Sequence, residues 1–312
     1  MTEVTSRDRL SDLRGGGKAA VAGALADLER GPDSPEVLDL LAEAWTVGLT
    51  GGGQVLGITG PPGVGKSTLT GALLKAARGA GQRVAVLAID PSSRRSGGAL
   101  LGDRLRVMSP AGDPDCFVRS MAARRRLGGL ADEAFPAIVL LRALYDLVLV
   151  ETVGVGQSET DVADMADTVI FCVQPASGDA VQFMKAGIIE IPHIAVVTKA
   201  DLGAAAERAL ADLKAAVGLS PGSQGWQVAC LALAAQQPGA ADKLLDLAGQ
   251  HYDHLMTQGL LAARRRHQGE AWLETAILAE YGRRGLTTAA RHRQEVTGSP
   301  FAQRAELGRL LG

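Results

Sequence analysis

The chain has 312 residues, of which 46% are hydrophobic, 21% charged and 4% aromatic, and its formal net charge is −2. This composition supports a large core and argues against global disorder. The small negative charge and the few aromatic residues argue against a nucleic-acid-binding protein.

The N-terminal stretch MTEVTSRDRL lacks the apolar core of a secretory signal, and no uncharged apolar run approaches the ~20 residues that span a bilayer. Three isolated cysteines, Cys116, Cys172 and Cys230, form no CxxC pair, as is typical of a reducing compartment. We therefore expect a soluble cytoplasmic protein with no membrane partner and no nucleic-acid partner.

The chain begins and ends with helical patterns. Residues 8–45 carry apolar residues at helical spacing, with glycine-containing breaks at 15–17 and 31–32. Ser34 and Pro35 predict the N-cap and first turn of a helix that continues through Trp45. Helical patterns return after Gly239. We expect an N-terminal helical segment (1–50), a nucleotide-binding domain (51–240) and a C-terminal helical extension (241–312).

Six short apolar runs lie between these helical patterns. They are continuously apolar rather than alternating, which predicts parallel strands covered on both faces. The spacing leaves room for crossover helices, so the fold class is α/β with a doubly wound, mostly parallel sheet. The predicted strands cover residues 55–59, 84–90, 146–151, 168–173, 194–199 and 227–233.

The stretch GPPGVGKST follows the first predicted strand and fits the phosphate-binding pattern G-x-x-x-x-G-K-[ST]. Glycines in such a loop let backbone N–H groups turn inward around phosphate oxygens. Lys66 supplies a positive charge to the β- and γ-phosphates, and the Ser67 hydroxyl is a natural Mg²⁺ ligand. The predicted nucleotide contacts are Gly60, Pro61, Pro62, Gly63, Val64, Gly65, Lys66, Ser67 and Thr68.

Two carboxylates end predicted strands at the edge where ligands bind in such sheets. Asp90 closes VAVLAID and Glu151 closes DLVLVE, and we expect both strands to flank the strand of the phosphate loop. Either acid is a candidate metal ligand. The loop after Asp90 contains Asp103, which is placed to orient water or a metal-bound water. The loop after Glu151 contains Gly154, whose N–H could reach the γ-phosphate.

The stretch AVVTKAD at residues 195–201 is either a base-reading segment or a strand end with solvated side chains. Its position at the end of a parallel strand downstream of the phosphate loop favours the first interpretation. The Asp201 carboxylate can accept from both N1–H and the exocyclic amine of guanine, whereas adenine offers an acceptor at N1. The Lys199 stem can lie over the base. We therefore predict a guanine site.

In this order, the strings GITGPPGVGKST, SGGALLGDR, LVLVETVGVGQSE, SGDAVQFMKAG and VVTKAD resemble the methylmalonyl-CoA mutase accessory proteins, the MeaB/ArgK-like P-loop GTPases. This family chaperones adenosylcobalamin-dependent acyl-CoA mutases. The resemblance implies GTP/GDP and Mg²⁺ as ligands, slow GTP hydrolysis without a partner, a mutase as protein partner, and a homodimer formed through the C-terminal helices.

By the same resemblance, particular residues receive roles. Lys66, Asp103 and Glu151 are the implied catalytic residues. The implied metal ligands are Ser67, Asp90, Asp103 and Glu151. The segment 177–185 is the implied mobile loop at the mutase.

The sequence departs from the family pattern at four places. Thr198 stands where Asn is usual; its hydroxyl can still fasten the loop, but the side chain reaches less far toward the base, which predicts a lower affinity for guanine. The next base-contacting segment, usually Ser-Ala-Leu, is Leu231-Ala232-Leu233, and Arg104 replaces a usual lysine. Three arginines at positions 124–126 stand in a loop that is rich in Ser and Pro in the family.

Other polar residues favour simpler interpretations. The arginines at 124–126 predict a solvated face, with a partner or phosphate contact as the alternative. Those at 264–266 are interpreted as the end of a helix, where positive charge complements the helix dipole. His251 and His254 lie three apart on a predicted helix and could share a metal ion, but no third ligand is evident, so we expect exposed residues.

Three alternative functions remain open on the sequence. The first is a nickel-insertion GTPase of the hydrogenase or urease type, which has the same GTPase activity but a different protein partner. The isolated cysteines argue against it, because such proteins usually carry Cys/His metal sites. A P-loop small-molecule kinase would need an adenine site, which Asp201 disfavours. A binding module without hydrolysis is the third alternative, because of the departures at Thr198 and Leu231.

Overall fold

The structure is a computed structural model that describes residues 8–91, 112–123, 131–152, 161–175, 191–218, 225–292 and 296–311. Several of the predicted site residues lie outside this part of the chain. They are Asp103, Gly154, the arginines at 124–126, the segment 177–185 and the side chain of Asp90.

The described residues form one sheet of seven parallel strands in the order β3-β2-β4-β1-β5-β6-β7. The central strand β1 has neighbours on both sides that come later in the sequence, which is the arrangement of a doubly wound sheet. The predicted α/β fold class is therefore confirmed. The strands are β1 Gln54–Thr59, β2 Val84–Pro91, β3 Cys116–Ala123, β4 Leu147–Thr152, β5 Thr168–Val173, β6 Ile194–Val197 and β7 Ala229–Ala232.

Helices precede, connect and follow the strands. Pro35 occupies the first turn of α3 after Ser34, as predicted. None of the helices in the described ranges is long and apolar enough to cross a membrane. The division into three segments stays a prediction. The helices are α1 Arg9–Gly15, α2 Gly17–Arg30, α3 Pro35–Thr50, α4 Lys66–Gly79, α5 Ala131–Leu144, α6 Ala204–Val217, α7 Ala240–Thr257, α8 Leu260–His292 and α9 Pro300–Leu311.

The two faces of the sheet are buried by different helices. Val55 of β1 points to a core shared with α1, α2, α3, α5, α8 and α9. Leu56 and Ile58 point to the opposite core, which α4 and α7 cover. Both faces of β1 are therefore dry, which explains why its sequence is continuously apolar.

The sheet contains a strand that the sequence did not predict. Strand β3 pairs with β2 along its whole length at the edge of the sheet. It carries Arg119, which pairs with Glu29 of α2 at 2.5 Å. Polar and small residues interrupt this edge strand, so it lacks the continuous apolar run that marks the inner strands.

The predicted position of β2 was also wrong. Strand β4 lies between β2 and β1, so only the strand of Glu151 flanks the phosphate-loop strand. Glu151 is level with Ile58 of β1 and with Ala88 of β2, so Asp90 lies two positions further toward the edge of the sheet. The order of strands depends on how the crossovers pack, which a local pattern does not specify.

The interpretation of the arginines at 264–266 as a helix end was wrong, since they lie near the start of α8. Arg265 is fully buried, and its guanidinium is 2.6 Å from the carboxylate of Asp167, which is also buried. Arg265 also donates to the carbonyls of Gly48 and Gly53, at 2.5 and 2.9 Å. Asp167 accepts from the N–H of Val55 at 2.9 Å. This cluster fastens α8 to the beginning of β1.

The expectation that His251 is exposed was also wrong. Its side chain is 1% exposed, and Nδ1 lies 2.8 Å from the hydroxyl of Thr168. The imidazole packs against that of His193, with ring centroids 4.2 Å apart, and against Trp226. Burial lowers the pKa of His251 to about 3 and that of His193 to about 2. No group of three metal-ligating side chains exists among the residues that the structure describes.

Candidate functional site

The phosphate loop joins β1 to α4 along a path that requires glycine. Gly60 has a φ of 137°, and a Cβ there would lie 2.3 Å from the carbonyl oxygen of Cys172 on β5. Gly65 has a φ of 102° and caps the N-terminus of α4 in the left-handed conformation. The first N–H groups of α4 and the positive end of its dipole therefore face the loop.

Lys66 is the first residue of α4 and is almost fully buried. Its ammonium donates to the carbonyls of Gly60 and Pro61, at 2.7 and 2.9 Å. These bonds hold the only cationic side chain of the GPPGVGKST motif inside the curve of the loop. The oxygens of a bound phosphate would replace these two carbonyl oxygens as hydrogen-bond partners of the ammonium.

The other loop residues differ in burial. Pro62 and Gly63 are exposed, Pro61 and Thr68 are half-buried, and Val64 is fully buried. The Val64 side chain belongs to the core on the α4 face of the sheet. The loop is therefore anchored at its middle, with its first part open to solvent.

Ser67 and Glu151 were predicted as metal ligands, and the structure brings them together. The Ser67 hydroxyl donates to Oε1 of Glu151 at 2.5 Å. Glu151 is fully buried on β4, next to the strand that enters the phosphate loop. A hydroxyl and a carboxylate are hard oxygen donors of the kind that Mg²⁺ prefers. The residues present therefore fit a magnesium ion.

Thr198 connects the base motif to the phosphate loop. Its buried hydroxyl lies 2.6 Å from the carbonyl oxygen of Val64 and 3.1 Å from that of Val173 at the end of β5. The threonine thus fastens three segments, although its side chain is shorter than the asparagine usual in the family.

Lys199 crosses from the base motif to the phosphate loop. It has a φ of 54°, the only positive φ of a non-glycine residue in the described part of the chain. Its ammonium donates to the carbonyl of Gly63 at 3.1 Å and to Oε1 of Gln174 at 2.8 Å. The lysine stem therefore spans the space between the two segments.

Asp201 lies in a short 3₁₀ turn, Ala200–Leu202, and its side chain is exposed. The turn is fastened to the end of β7, because the N–H of Ala200 donates to the carbonyl of Leu233 at 3.3 Å. The carboxylate is therefore free of the core and held on a fixed piece of backbone.

The predicted contacts Leu231, Ala232 and Leu233 lie at the end of β7. Leu231 and Leu233 pack into the core on the α4 face, and Ala232 packs against β5 and β6. Their side chains offer no polar atom to a base, so their contribution to the site is the backbone that supports Asp201.

Two contacts of the site were not predicted from the sequence. Gln174, directly after β5, holds Lys199, and the hydroxyls of Thr59 and Thr152 lie 3.2 Å apart at the ends of β1 and β4. A signal was present, because Thr59 and Gln174 directly follow apolar runs and Thr152 follows Glu151, so all three stand at the ligand edge of the sheet.

A glycine-rich phosphate loop that joins the central strand of a parallel sheet to a helix places this chain among the P-loop proteins. The chain belongs to the family of methylmalonyl-CoA mutase-associated GTPases (MeaB), whose profile matches residues 25–287. It is thus an enzyme that hydrolyses GTP.

Individual relatives agree with this family. A putative GTPase of Pyrococcus abyssi is 43% identical over 233 residues, which cover 73% of this chain and 72% of that protein. A mitochondrial methylmalonic aciduria type A homolog of Mus musculus is 38% identical over 226 residues, covering 71% and 54%. The crystal structure of a LAO/AO transport system kinase has a TM-score of 0.67 at 26% identity, covering 99% of this chain and 98% of that one.

Proposed function

We propose that this GTPase is a chaperone of an adenosylcobalamin-dependent acyl-CoA mutase of the methylmalonyl-CoA type. In this proposal its nucleotide state gates the loading of the cofactor and protects the loaded mutase from inactivation. The match to mutase-associated GTPases over residues 25–287 is the observation that carries the proposal. The relative in Mus musculus, whose name refers to methylmalonic aciduria, supports it.

The phosphate end of GTP would lie in the loop of residues 60–68. Lys66 would bind the β- and γ-phosphates, since its ammonium is buried and points into the loop. Ser67 and Glu151 would hold Mg²⁺, and Asp90 and Asp103 are the further acids proposed for this cluster. When bound, the ion would neutralise the charge that develops on the phosphate oxygens.

The base would lie between Lys199 and Asp201. The exposed Asp201 carboxylate would accept from N1–H and the exocyclic amine of guanine, while the Lys199 stem covers the ring. Adenine carries an acceptor at N1 and would leave the carboxylate unpaired, which disfavours a kinase that uses ATP.

The chaperone role is tested with the mutase of the same organism. We expect the mutase to co-purify with the tagged chain, to raise the rate of GTP hydrolysis, and to load adenosylcobalamin in a GTP-dependent manner. Lys66→Ala should abolish nucleotide binding and GTP-dependent loading. Lys75→Ala, on the exposed side of the same helix, is the matched control and should behave as wild type.

A clear negative result would contradict the chaperone role. In that result the mutase does not co-purify with the tagged chain, and the mutase is loaded normally with its cofactor in a strain that lacks this chain. GTP hydrolysis by the isolated protein would survive that result, so the enzyme activity and the chaperone role are separable.

We also propose that the chain forms a homodimer through α8 and α9. Leu278 on α8 and Leu310 on α9 are 41% and 55% exposed, so both side chains are accessible to a second copy of the chain. Leu310→Glu should convert the dimer to a monomer in light scattering. Met256→Glu on α7, where the side chain is 45% exposed, is the control and should leave the mass unchanged.

A further inference from the structure

A groove of about 1500 Å³ lies among the N-terminal helices α1, α2 and α3. None of the residues that line it belongs to the phosphate loop or to the base motif, so the groove is distinct from the nucleotide site. Its apolar lining comes from Leu13, Val37 and Leu40 and from the small residues Ala20, Gly23 and Ala24.

The small residues form one face of α2. Ala20, Gly23 and Ala24 are spaced i, i+3 and i+4, so they lie side by side on the helix surface. A Cβ added at Gly23 would meet no atom of the described residues within 4 Å. A glycine inside a helix costs about 1 kcal/mol relative to alanine, so packing within this chain does not account for it. The missing side chain leaves room for another backbone to approach α2 closely.

The rim of the groove is strongly acidic. Six carboxylates and two guanidinium groups line it, which gives a formal charge of −4, more negative than the −2 of the whole chain. The carboxylates are those of Asp8, Asp12, Asp27, Glu36, Asp39 and Glu43.

Both arginines of the rim are already engaged. Arg9 contacts Asp39 at 3.0 Å, and Arg30 contacts Asp27 at 2.7 Å. The four remaining carboxylates form no salt bridge within the ranges that the structure describes. Asp12 and Glu36 are exposed to solvent, while Asp8 and Glu43 accept from the backbone N–H groups of Ser11 and Leu10.

Two of these carboxyl groups lie against each other. Burial and the neighbouring carboxyl group of Asp8 raise the pKa of Glu43. A carboxyl pair of this kind is stabilised by a nearby positive charge.

We propose that this groove binds an amphipathic helix of a partner protein that carries lysine or arginine on both sides of an apolar stripe. The apolar stripe would lie on Ala20, Gly23 and Ala24, and the basic side chains would reach the acidic rim. The α2 helix is about 21 Å long, which matches roughly four turns of a partner helix.

The chain's own first seven residues fit the groove less well. Their charged side chains are Glu3 and Arg7, which cancel. They offer neither a basic surface nor an apolar stripe, so the partner helix is the better match to the rim.

The test uses the full chain and two labelled peptides of about 18 residues, roughly 27 Å as helices. One carries leucine on one face and lysine on both flanks, and the other has glutamate in place of lysine. Fluorescence anisotropy should show binding of the lysine peptide alone. Gly23→Leu should fill the groove and weaken binding about ten-fold or more. Gly249→Leu on α7, where a Cβ also meets no atom, is the matched control and should bind as wild type.

A charge variant tests the rim independently of the groove shape. Asp12→Lys should weaken binding about three- to ten-fold at low salt, and the difference should vanish near 1 M salt. Glu207→Lys, an exposed acid on α6, makes the same charge change elsewhere and should have no effect. GDP affinity should be equal in all variants, which verifies that each one is folded.

Four outcomes would overturn the proposal. Equal binding of both peptides, or equal weakening by Gly23→Leu and Gly249→Leu, would mean that the groove is not recognised. Binding that appears only after removal of residues 1–7 would assign the groove to the chain's own N-terminus. Self-association that Gly23→Leu alone abolishes would assign it to a second copy of the chain.

Discussion

Replacing Thr198 by valine keeps the shape of the side chain and removes only the hydroxyl that joins the base motif to the phosphate loop. The carbonyl of Val64, which accepts at 2.6 Å, would then lose this hydrogen bond in a buried position. An unsatisfied buried acceptor costs about 1–3 kcal/mol, so we expect the free energy of unfolding to fall by that amount. Because Val64 lies within the phosphate loop, GDP affinity should fall roughly 5- to 30-fold, equivalent to 1–2 kcal/mol.

Urea denaturation and calorimetric titration with GDP measure the two effects. Thr198→Ser keeps the hydroxyl and should stay within about 1 kcal/mol of wild type. Thr70→Val removes a buried hydroxyl that bonds to the Lys66 carbonyl at 3.0 Å inside α4, and it should leave GDP affinity nearly unchanged. The reasoning is refuted if Thr198→Val unfolds at the same urea concentration as wild type and binds GDP equally well.

Two further predictions concern stability. Arg265→Met leaves the buried Asp167 carboxylate without its partner and should cost about 3–5 kcal/mol in urea denaturation. Arg142→Met should lower the free energy of unfolding far less than Arg265→Met, or raise it, because the buried Arg142 guanidinium has no hydrogen-bond partner in the described part of the chain. Equal losses in the two variants would contradict the different roles given to the two arginines. Buried His193 and His251 stay neutral in the folded protein, while unfolded histidines bind protons below pH about 6.5. The free energy of unfolding should therefore fall as the pH falls from about 6.5 toward 3, by up to about 1.4 kcal/mol per pH unit for each histidine. His251→Gln should reduce this slope, measured by urea denaturation at several pH values. An unchanged slope would contradict the burial argument.

The inner strands and the phosphate loop could be predicted because their signals are local. Strand β1 is continuously apolar and runs directly into glycines whose conformations require glycine, such as Gly60 and Gly65. The edge strand β3 could not be predicted in this way, because one face of an edge strand tolerates residues such as Arg119.

Buried polar residues were the main source of error. Arg265 and Asp167 are 98 residues apart in sequence, and neither is marked as buried by its neighbours. His251 on α7 likewise becomes a core residue only through His193, directly before β6, and Thr168 of β5. A charged or titratable side chain is buried only where a distant partner meets it, and sequence patterns do not contain that information.

Site residues could be predicted from the sequence where a local motif stands at the end of a predicted strand. Ser67 and Glu151 were expected at one metal site, and they are in contact. The role of Thr198 as a link to Val64 and Val173 was outside the reach of the pattern, because it depends on three segments meeting in space.

The central claim is that Asp201 reads guanine at the end of β6. Calorimetric titration of the purified chain with GDP and ADP tests it most directly. Two charge-assisted hydrogen bonds of about 1.5–3 kcal/mol each predict a preference for GDP of roughly 10²- to 10⁴-fold. Asp201→Asn should lose GDP and gain xanthosine diphosphate, whose C2 carbonyl accepts from the new amide. Equal affinity of the wild-type chain for GDP and ADP would contradict the account.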